Sequence, residues 1–277
     1  MSFRLVQISD THLSPSHDHF QDNFDTLQSW LQADAPDLII NTGDISLDGA
    51  DHEADLAHAR AQHARLPARC LLLPGNHDVG DYHVLGGRQP VHAARLARWT
   101  RLVGADHFVE DIPGWRLIGL NTQILGSGLP AEAAQWQALE AAVAGAGARA
   151  LALFMHKPLC QQRLADAEVT YWPVLEPARS RIVAAFGSTP PRFVASGHIH
   201  QWRDRLADGL RQIWAPPVSF IVGGVKQEII GNKMLGAVHY HLHPDGEFEA
   251  AVISVPGLVL HDIALLPQIY GASEKVS

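Results

Sequence analysis

Two cysteines among 277 residues cannot build a disulfide framework. Cys70 and Cys160 each lie in or beside an apolar run, so both are expected to be buried, reduced thiols. Long apolar runs are missing as well: no stretch approaches the roughly 18 residues that suggest a membrane span. The chain opens without the charged, apolar and small-residue pattern of a secretory leader, which makes the cytoplasm the expected compartment. Positive charge is scarce, with 21 Lys and Arg against 29 Asp and Glu, a formal charge of -8, and no long basic cluster. A nucleic-acid polymer is therefore not an expected partner. No G-x-S-x-G elbow and no P-loop occur, so serine-hydrolase and NTPase chemistry lack their parts. The run Gly145-Ala146-Gly147-Ala148-Arg149-Ala150 satisfies a dinucleotide fingerprint literally, but it follows a helical pattern and enters a strand, the reverse of the required order. It is read as a helix end and turn.

What is present is an ordinary globular composition, 47% hydrophobic, at a length that α/β folds often use for a single domain. Through about two thirds of the chain apolar runs alternate with helical patterns at Phe20 to Ala33, Asp51 to Ala64, Val91 to Val103, Ala131 to Ala144 and Glu176 to Phe186. That alternation predicts a largely parallel sheet covered by helices. Beyond His200 the texture changes to short strands at Trp202 to Leu206, Leu210 to Trp214, Gly236 to His243 and Glu247 to Ser254, punctuated by Asp208-Gly209 and Asp245-Gly246. One sheet with a parallel and an antiparallel half, or two packed sheets, accounts for both textures. With no repeat, low-complexity tract or linker, one domain over residues 1–277 is expected, its β-rich portion from about 201 completing a second sheet.

Five times a short apolar run ends in a cluster of Asp, His or Asn. Phe3 to Ser9 leads into Asp10-Thr11-His12, Asp37 to Thr42 into Gly43-Asp44, and Cys70 to Leu73 into Pro74-Gly75-Asn76-His77-Asp78. Ala150 to Met155 leads into His156, and Arg192 to Ser196 into Gly197-His198-Ile199-His200. In open α/β sheets ligands bind outside the carboxyl ends of strands, so side chains just past several strand ends can converge on one crevice. Asp10 with His12, and His198 with His200, project to the same side if the backbone is extended, and each pair can grip an ion. Imidazole together with carboxylate suits zinc, iron, manganese or cobalt better than calcium or magnesium. The candidates Asp10, His12, Asp44, Asn76, His156, His198 and His200 are too many for one tetrahedral ion. Two ions sharing a bridging carboxylate are the simpler account.

The ordered set D-x-H, G-D, G-N-H-D, a lone H after a strand and G-H-x-H resembles the calcineurin-like metallophosphoesterase superfamily, over residues 5 to about 200. Each element alone is weak, and all five in order are specific. The resemblance implies a four-layer fold, two mixed sheets packed face to face with helices outside and the site at one edge. It implies that Asp10, His12 and His200 hold one metal and Asn76, His156 and His198 the other, with Asp44 between them. It implies that His77 faces the phosphate with Asn76 and assists the leaving group, while a hydroxide held by the two metals attacks. His77 has to be cationic to donate to a departing alkoxide, and Asp78, next in sequence, or the bridging phosphate is the candidate counter-charge. The protein Ser/Thr phosphatase branch carries G-D-x-x-D-R-G; here its Asp and Arg fall on Leu47 and Asp48. The start Q-I-S-D-T-H-L and the close S-G-H-I-H-Q look most like the bacterial cyclic-nucleotide and glycerophosphodiester phosphodiesterases of the superfamily. Hydrolysis of a small phosphodiester is thus the expected reaction, with a phosphomonoesterase or nucleotide pyrophosphatase as the alternative. From another class, the alternative is a binding or scaffold protein that kept the fold and lost catalysis.

The remaining histidines have plainer readings. His17 and His19 are expected to be solvated loop residues, and His52, His58 and His63 to lie on a helix surface. The alternation His239, His241, His243 suits a half-exposed strand face. Substrate choice is left to the loops Val79 to Pro90 and Lys157 to Pro173, whose Tyr82, His83, Arg88, Lys157, Tyr171 and Trp172 can stack on a base or simply cover the core. Trp214 to Gly224 is a candidate pocket rim, and the apolar stretch Ala251 to Leu266 suggests a homodimer contact.

Overall fold

A computed structural model describes residues 2–82, 89–224 and 226–270. Its strands are β1 (Phe3–Ile8), β2 (Leu38–Asn41), β3 (Cys70–Leu72), β4 (Phe108–Ile112), β5 (Trp115–Leu120), β6 (Ala150–Met155), β7 (Phe193–Ser196), β8 (Arg203–Ala207), β9 (Leu210–Trp214), β10 (Phe220–Ile221), β11 (Ala237–Leu242), β12 (Phe248–Ile253) and β13 (His261–Asp262). The helices are α1 (Gln21–Ala33), α2 (Glu53–His63), α3 (Asn76–Val79), α4 (Ala93–Leu102), α5 (Pro130–Ala144), α6 (Ala178–Phe186) and α7 (Pro267–Tyr270). None of the helices among the described residues is long and apolar enough to cross a membrane.

The strands form two large mixed sheets, ordered β12-β11-β1-β2-β3 and β4-β5-β6-β7-β9-β8, and a two-stranded patch of β10 and β13. Within the first, β1, β2 and β3 are parallel and β11 runs antiparallel to β1. Within the second, β5, β6, β7 and β9 are parallel and the edge strands β4 and β8 antiparallel.

Side-chain alternation explains the layers. Successive residues of a strand face opposite sides, and on β1 Leu5 enters one apolar cluster while Val6 and Ile8 enter another. Leu5, Leu38, Ile40, Val238 and Tyr240 of the first sheet meet Trp115, Ala152, Phe154, Phe193 and Ile213 of the second in a single cluster. Val6, Ile8 and Ile39 on the outer face instead pack on Phe24, Leu27 and Leu31 of α1 and Leu56 and Ala59 of α2. Leu151, Leu153, Met155 and Val194 meet Trp136 and Leu139 of α5 and Ile182 and Phe186 of α6. Three apolar interfaces give four layers, the αββα arrangement that the resemblance implied.

Two features depart from the sequence-based expectation. The β-rich stretch after His200 does not go to one sheet: β8 and β9 extend the second, while β11 and β12 join the first, because Val238, Tyr240 and Leu242 alternate inward against β1. The β4–β5 hairpin was not anticipated. Its edge strand carries half-exposed Glu110 and exposed Asp111, charges that blunt a sheet edge and hide the apolar signal.

One polar tie fixes the end of the sandwich where the clusters gather. Gln7 of β1 donates to Thr42 Oγ1 at 3.0 Å and to Ser196 O at 3.2 Å, and accepts from Tyr240 Oη at 2.8 Å. A fully buried amide satisfied in this way holds the carboxyl ends of strands from both sheets in register.

Candidate metal centre

The clusters follow the carboxyl ends of five strands, three in the first sheet and two in the second. Main-chain bonds stitch the loops together: Asp10 N donates to Gly43 O at 3.0 Å, His12 N to Asp44 O at 3.0 Å, and Gly197 N to His156 O at 2.9 Å. The pairs are not extended, as the sequence reading supposed. Asp10, His12, Asp44, His198 and His200 all have positive φ, from 44° to 68°, and Asp208 is the sixth such non-glycine residue among those described. Asp and His tolerate the left-handed region better than most residues, but each costs of order 1 kcal/mol or more. Tight turns, rather than alternation along a strand, aim these side chains.

The result is two groups of buried donors meeting at one carboxylate. Asp10, His12, Asp44 and His200 bring one ligand atom each within 4.8 Å of one another, and so do Asp44, His156 and His198. His200 Nε2 lies 3.3 Å from Asp10 Oδ1 and 3.4 Å from His12 Nε2. Asp44 Oδ2 is 3.7 Å from His12 Nε2 on one side and 3.3 Å from His156 Nε2 on the other. Asn76 joins the second group with Oδ1 at 3.2 Å from His156 Nε2. None of the seven residues exposes more than 8% of its surface.

Ring orientation is set from behind. His156 Nδ1 donates to Thr42 O at 2.8 Å and His200 Nδ1 to Phe220 O at 2.7 Å, which turns both Nε2 lone pairs toward the donor groups. Two glycines permit the close approach. A Cβ on Gly43, already at φ 108°, would stand 2.5 Å from His156 Nδ1, and one on Gly75 would run into Asp44.

The electrostatics fit cations. Burial raises the Asp44 carboxyl, but His156, His77 and His12 outweigh it and hold Asp44 well below the usual range. Burial and neighbouring imidazoles push His12 and His198 well down, which leaves them neutral with lone pairs to donate. For His156 burial is overcome by Asp44, which lifts it to about 9. A proton held there is what a metal ion would replace. Two carboxylates, four imidazoles and one amide oxygen, all withdrawn from water, match the donor preferences of transition-metal ions. Two divalent ions held there would remain under-neutralised and attractive to an anion.

His77 sits beside the first group. Its backbone N donates to Asp44 Oδ1 at 2.9 Å, its Nδ1 to Leu47 O at 2.9 Å, and its ring stands edge-on to His12 at 4.8 Å. Asp78 does not serve it as a counter-charge. Its oxygens accept from Gly75 N at 2.9 Å, Ile45 N at 3.1 Å, Ser46 N at 2.9 Å and Ser46 Oγ at 2.5 Å, fastening the third loop onto the second. Burial and the Asp44 charge raise the Asp78 carboxyl to about 6.

Some residues took other places than expected. Lys157 is buried and bonded to Asp81 at 2.8 Å and to Tyr171 O at 2.8 Å. Tyr171 Oη meets Asn76 Nδ2 at 2.9 Å. Phe220, missed by the sequence reading except as part of a rim, stacks on His200 at 4.5 Å and lies 4.7 Å from His12. His63 is buried rather than on the helix surface: its Nε2 meets Asn41 Nδ2 at 2.8 Å while Nδ1 donates to Ala59 O. His17 and His19 are exposed, and His239 and His241 are half-buried on β11. Cys160 is buried and Cys70 half-buried, both as free thiols. His83 and Arg88 lie outside the described residues.

Comparison with known proteins places these features in context. The family model described as Calcineurin-like phosphoesterase matches residues 3–202. The 3',5'-cyclic adenosine monophosphate phosphodiesterase CpdA of Vibrio vulnificus is 29% identical over 236 residues, 78% of this chain and 76% of the relative. That of Pseudomonas aeruginosa is 27% identical over 277 residues, 93% of this chain and 92% of the relative. Purple acid phosphatase PPD1 from yellow lupin seeds superposes with a TM-score of 0.65 at 12% identity, covering 95% of this chain and 53% of the lupin chain, about half its length. GAP50, the anchor in the inner membrane complex of Plasmodium, superposes with a TM-score of 0.64 at 12% identity, covering 100% of this chain and 96% of that one. At such identities these two likenesses establish the shared fold.

Proposed function

The chain belongs to the calcineurin-like phosphoesterase family, and we propose that within it the protein is a dinuclear metal-dependent phosphodiesterase acting on a small phosphodiester of the cyclic-nucleotide or glycerophosphodiester type. The observation that carries the reading is one carboxylate, Asp44, between two groups of buried donors, with His77 against it. Asp10, His12 and His200 would hold one cation and Asn76, His156 and His198 the other, with Asp44 shared between them.

When bound, two such cations make a nucleophile from water at neutral pH and neutralise phosphoryl charge during an in-line displacement. The remaining work falls to side chains. Asn76 contributes a neutral oxygen, which leaves its cation more Lewis-acidic than a carboxylate would, and it orients the phosphoryl group. His77, with Nδ1 fixed on Leu47 O, delivers a proton from Nε2 to the departing alkoxide. Preference for a diester is supported by Leu47 and Asp48 at the positions where the protein phosphatase motif carries Asp and Arg. It is supported too by the two CpdA relatives.

The test is hydrolysis of cyclic AMP, glycerophosphocholine, bis(p-nitrophenyl) phosphate and p-nitrophenyl phosphate by metal-stripped protein reloaded with manganese, iron, zinc or cobalt. A diester turned over at least ~10-fold faster than the monoester supports the reading. Faster monoester hydrolysis, or pyrophosphate cleavage of a nucleotide, favours the alternative reactions on this fold, and silence with every metal favours a binding protein. Retention of all seven donors and His77 weighs against that last outcome. We also read residues 1–277 as one domain, the chain as cytoplasmic, and its C-terminal stretch as a homodimer contact, since Val259, Leu260 and Leu265 are 56%, 58% and 77% exposed. A monomeric mass by light scattering contradicts the dimer.

A further inference from the structure

The second donor group has a support that the family motifs do not contain. Tyr171, half-buried in the loop after β6, places its phenolic oxygen 2.9 Å from Asn76 Nδ2. An amide side chain has two ends and can flip. With Nδ2 occupied by Tyr171, Oδ1 is the end turned toward His156 Nε2. The same residue presses on a second member of the group: its ring centroid lies 4.7 Å from that of His198, and its carbonyl oxygen 3.3 Å from His198 Nε2.

Tyr171 is itself held in place. Its carbonyl accepts from Lys157 Nζ at 2.8 Å, and Lys157 sits 4.8 Å from the centre of the Tyr171 ring. Lys157 follows His156 directly and is ion-paired at 2.8 Å with Asp81, from the loop that follows His77. Both side chains are largely out of water, at 5% and 14% exposure. A buried pair of this kind has a defined geometry or a high cost. Tyr171 is thus anchored from two loops while its phenol touches the one amide donor of the centre.

We propose that Tyr171 is a positioning residue for the second metal: it fixes the Asn76 amide with Oδ1 toward the ion, and the Lys157–Asp81 pair keeps it there. The inference rests on the assignment of Asn76, His156 and His198 as ligands of one ion. It makes Tyr171 an outer partner of a ligand, and loss of such partners costs roughly 10- to 100-fold in metal affinity.

The experiment is a calorimetric titration of metal-stripped protein with manganese alone, in the parent, Tyr171→Phe, Asn76→Ala and the double variant. Tyr171→Phe keeps the ring and the carbonyl and removes only the hydroxyl. The parent binds two manganese ions, and Asn76→Ala identifies the event that belongs to the second site. Tyr171→Phe weakens that event roughly 10-fold or more and leaves the other unchanged, and it adds nothing in the Asn76→Ala background. Unchanged affinity, equal weakening of both events, or a further loss in the double variant overturns the proposal. A parent that binds fewer than two ions instead contradicts the dinuclear assignment beneath it.

Discussion

The two halves of the centre are supported in different ways. Around Asp10, His12 and His200 the scaffold is main chain and one aromatic ring: left-handed turns, the Phe220 carbonyl on His200 Nδ1, and the Phe220 face against His200. Around Asn76, His156 and His198 main-chain support is present too, in the Thr42 carbonyl on His156 Nδ1 and the left-handed turn at His198, but a relay from Asp81 through Lys157 and Tyr171 to Asn76, drawn from two loops, is added to it. A half built on a buried ion pair can be disturbed from a distance, and substitutions should separate the two.

Asp44 belongs to both halves, so its loss has the largest effect. Asp44→Asn keeps the shape and removes the shared charge; both manganese events weaken and turnover falls to that of metal-free protein. Retention of either event at parental affinity would break the symmetry assigned to Asp44. His77→Ala comes next, with kcat lowered roughly 10²- to 10⁴-fold while two metal ions per chain are retained by elemental analysis. Loss of metal in that variant would make His77 part of the scaffold. Asp81→Asn acts on the second half alone. It leaves the Lys157 ammonium, pushed down by burial and held up mainly by Asp81, without its counter-charge, at a cost of about 3 kcal/mol in urea denaturation. The first manganese event should be untouched.

A fourth prediction concerns a support common to both halves. His63 meets Asn41 Nδ2, and Asn41 Oδ1 accepts from Gly43 N at 3.0 Å, so this imidazole braces the turn that carries Asp44. Burial lowers His63 from 6.5 to about 4. The folded state therefore binds its proton less readily than the unfolded one. Its contribution is fully present above about pH 6.5 and is lost as pH falls toward 4, roughly 3 kcal/mol at about 1.4 kcal/mol per pH unit. Chemical denaturation of metal-stripped protein across that range shows the loss, and His63→Gln flattens it. A slope unchanged in the variant assigns the acid sensitivity elsewhere.

How far the sequence could be read follows the same division. The first half was legible because each donor lies within a few residues of an apolar run: Asp10 and His12 after β1, Asp44 after β2, His200 after β7. The close approach of backbone and ligand at Gly43 and Gly75 emerged only from the structure. The route was mistaken in one respect, since an extended backbone was assumed at residues that are left-handed. Only Asp and His at those positions hinted at it, and both are common elsewhere. The support of the second half was not legible. Tyr171 and Asn76 are 95 positions apart, Lys157 and Asp81 76 apart, and a lone Tyr or Lys in a loop carries no spacing signal. His63 was misread for a related reason, because its partner Asn41 lies on a neighbouring strand that helical periodicity does not reveal.

The two donor groups meet at Asp44, which two cations are expected to share. Anomalous diffraction from crystals of the manganese-loaded protein tests it most directly. Two anomalous peaks roughly 3.5–4 Å apart, one on each side of the Asp44 carboxylate, are the predicted result. A single peak, or a pair in which Asp44 touches only one, would contradict it.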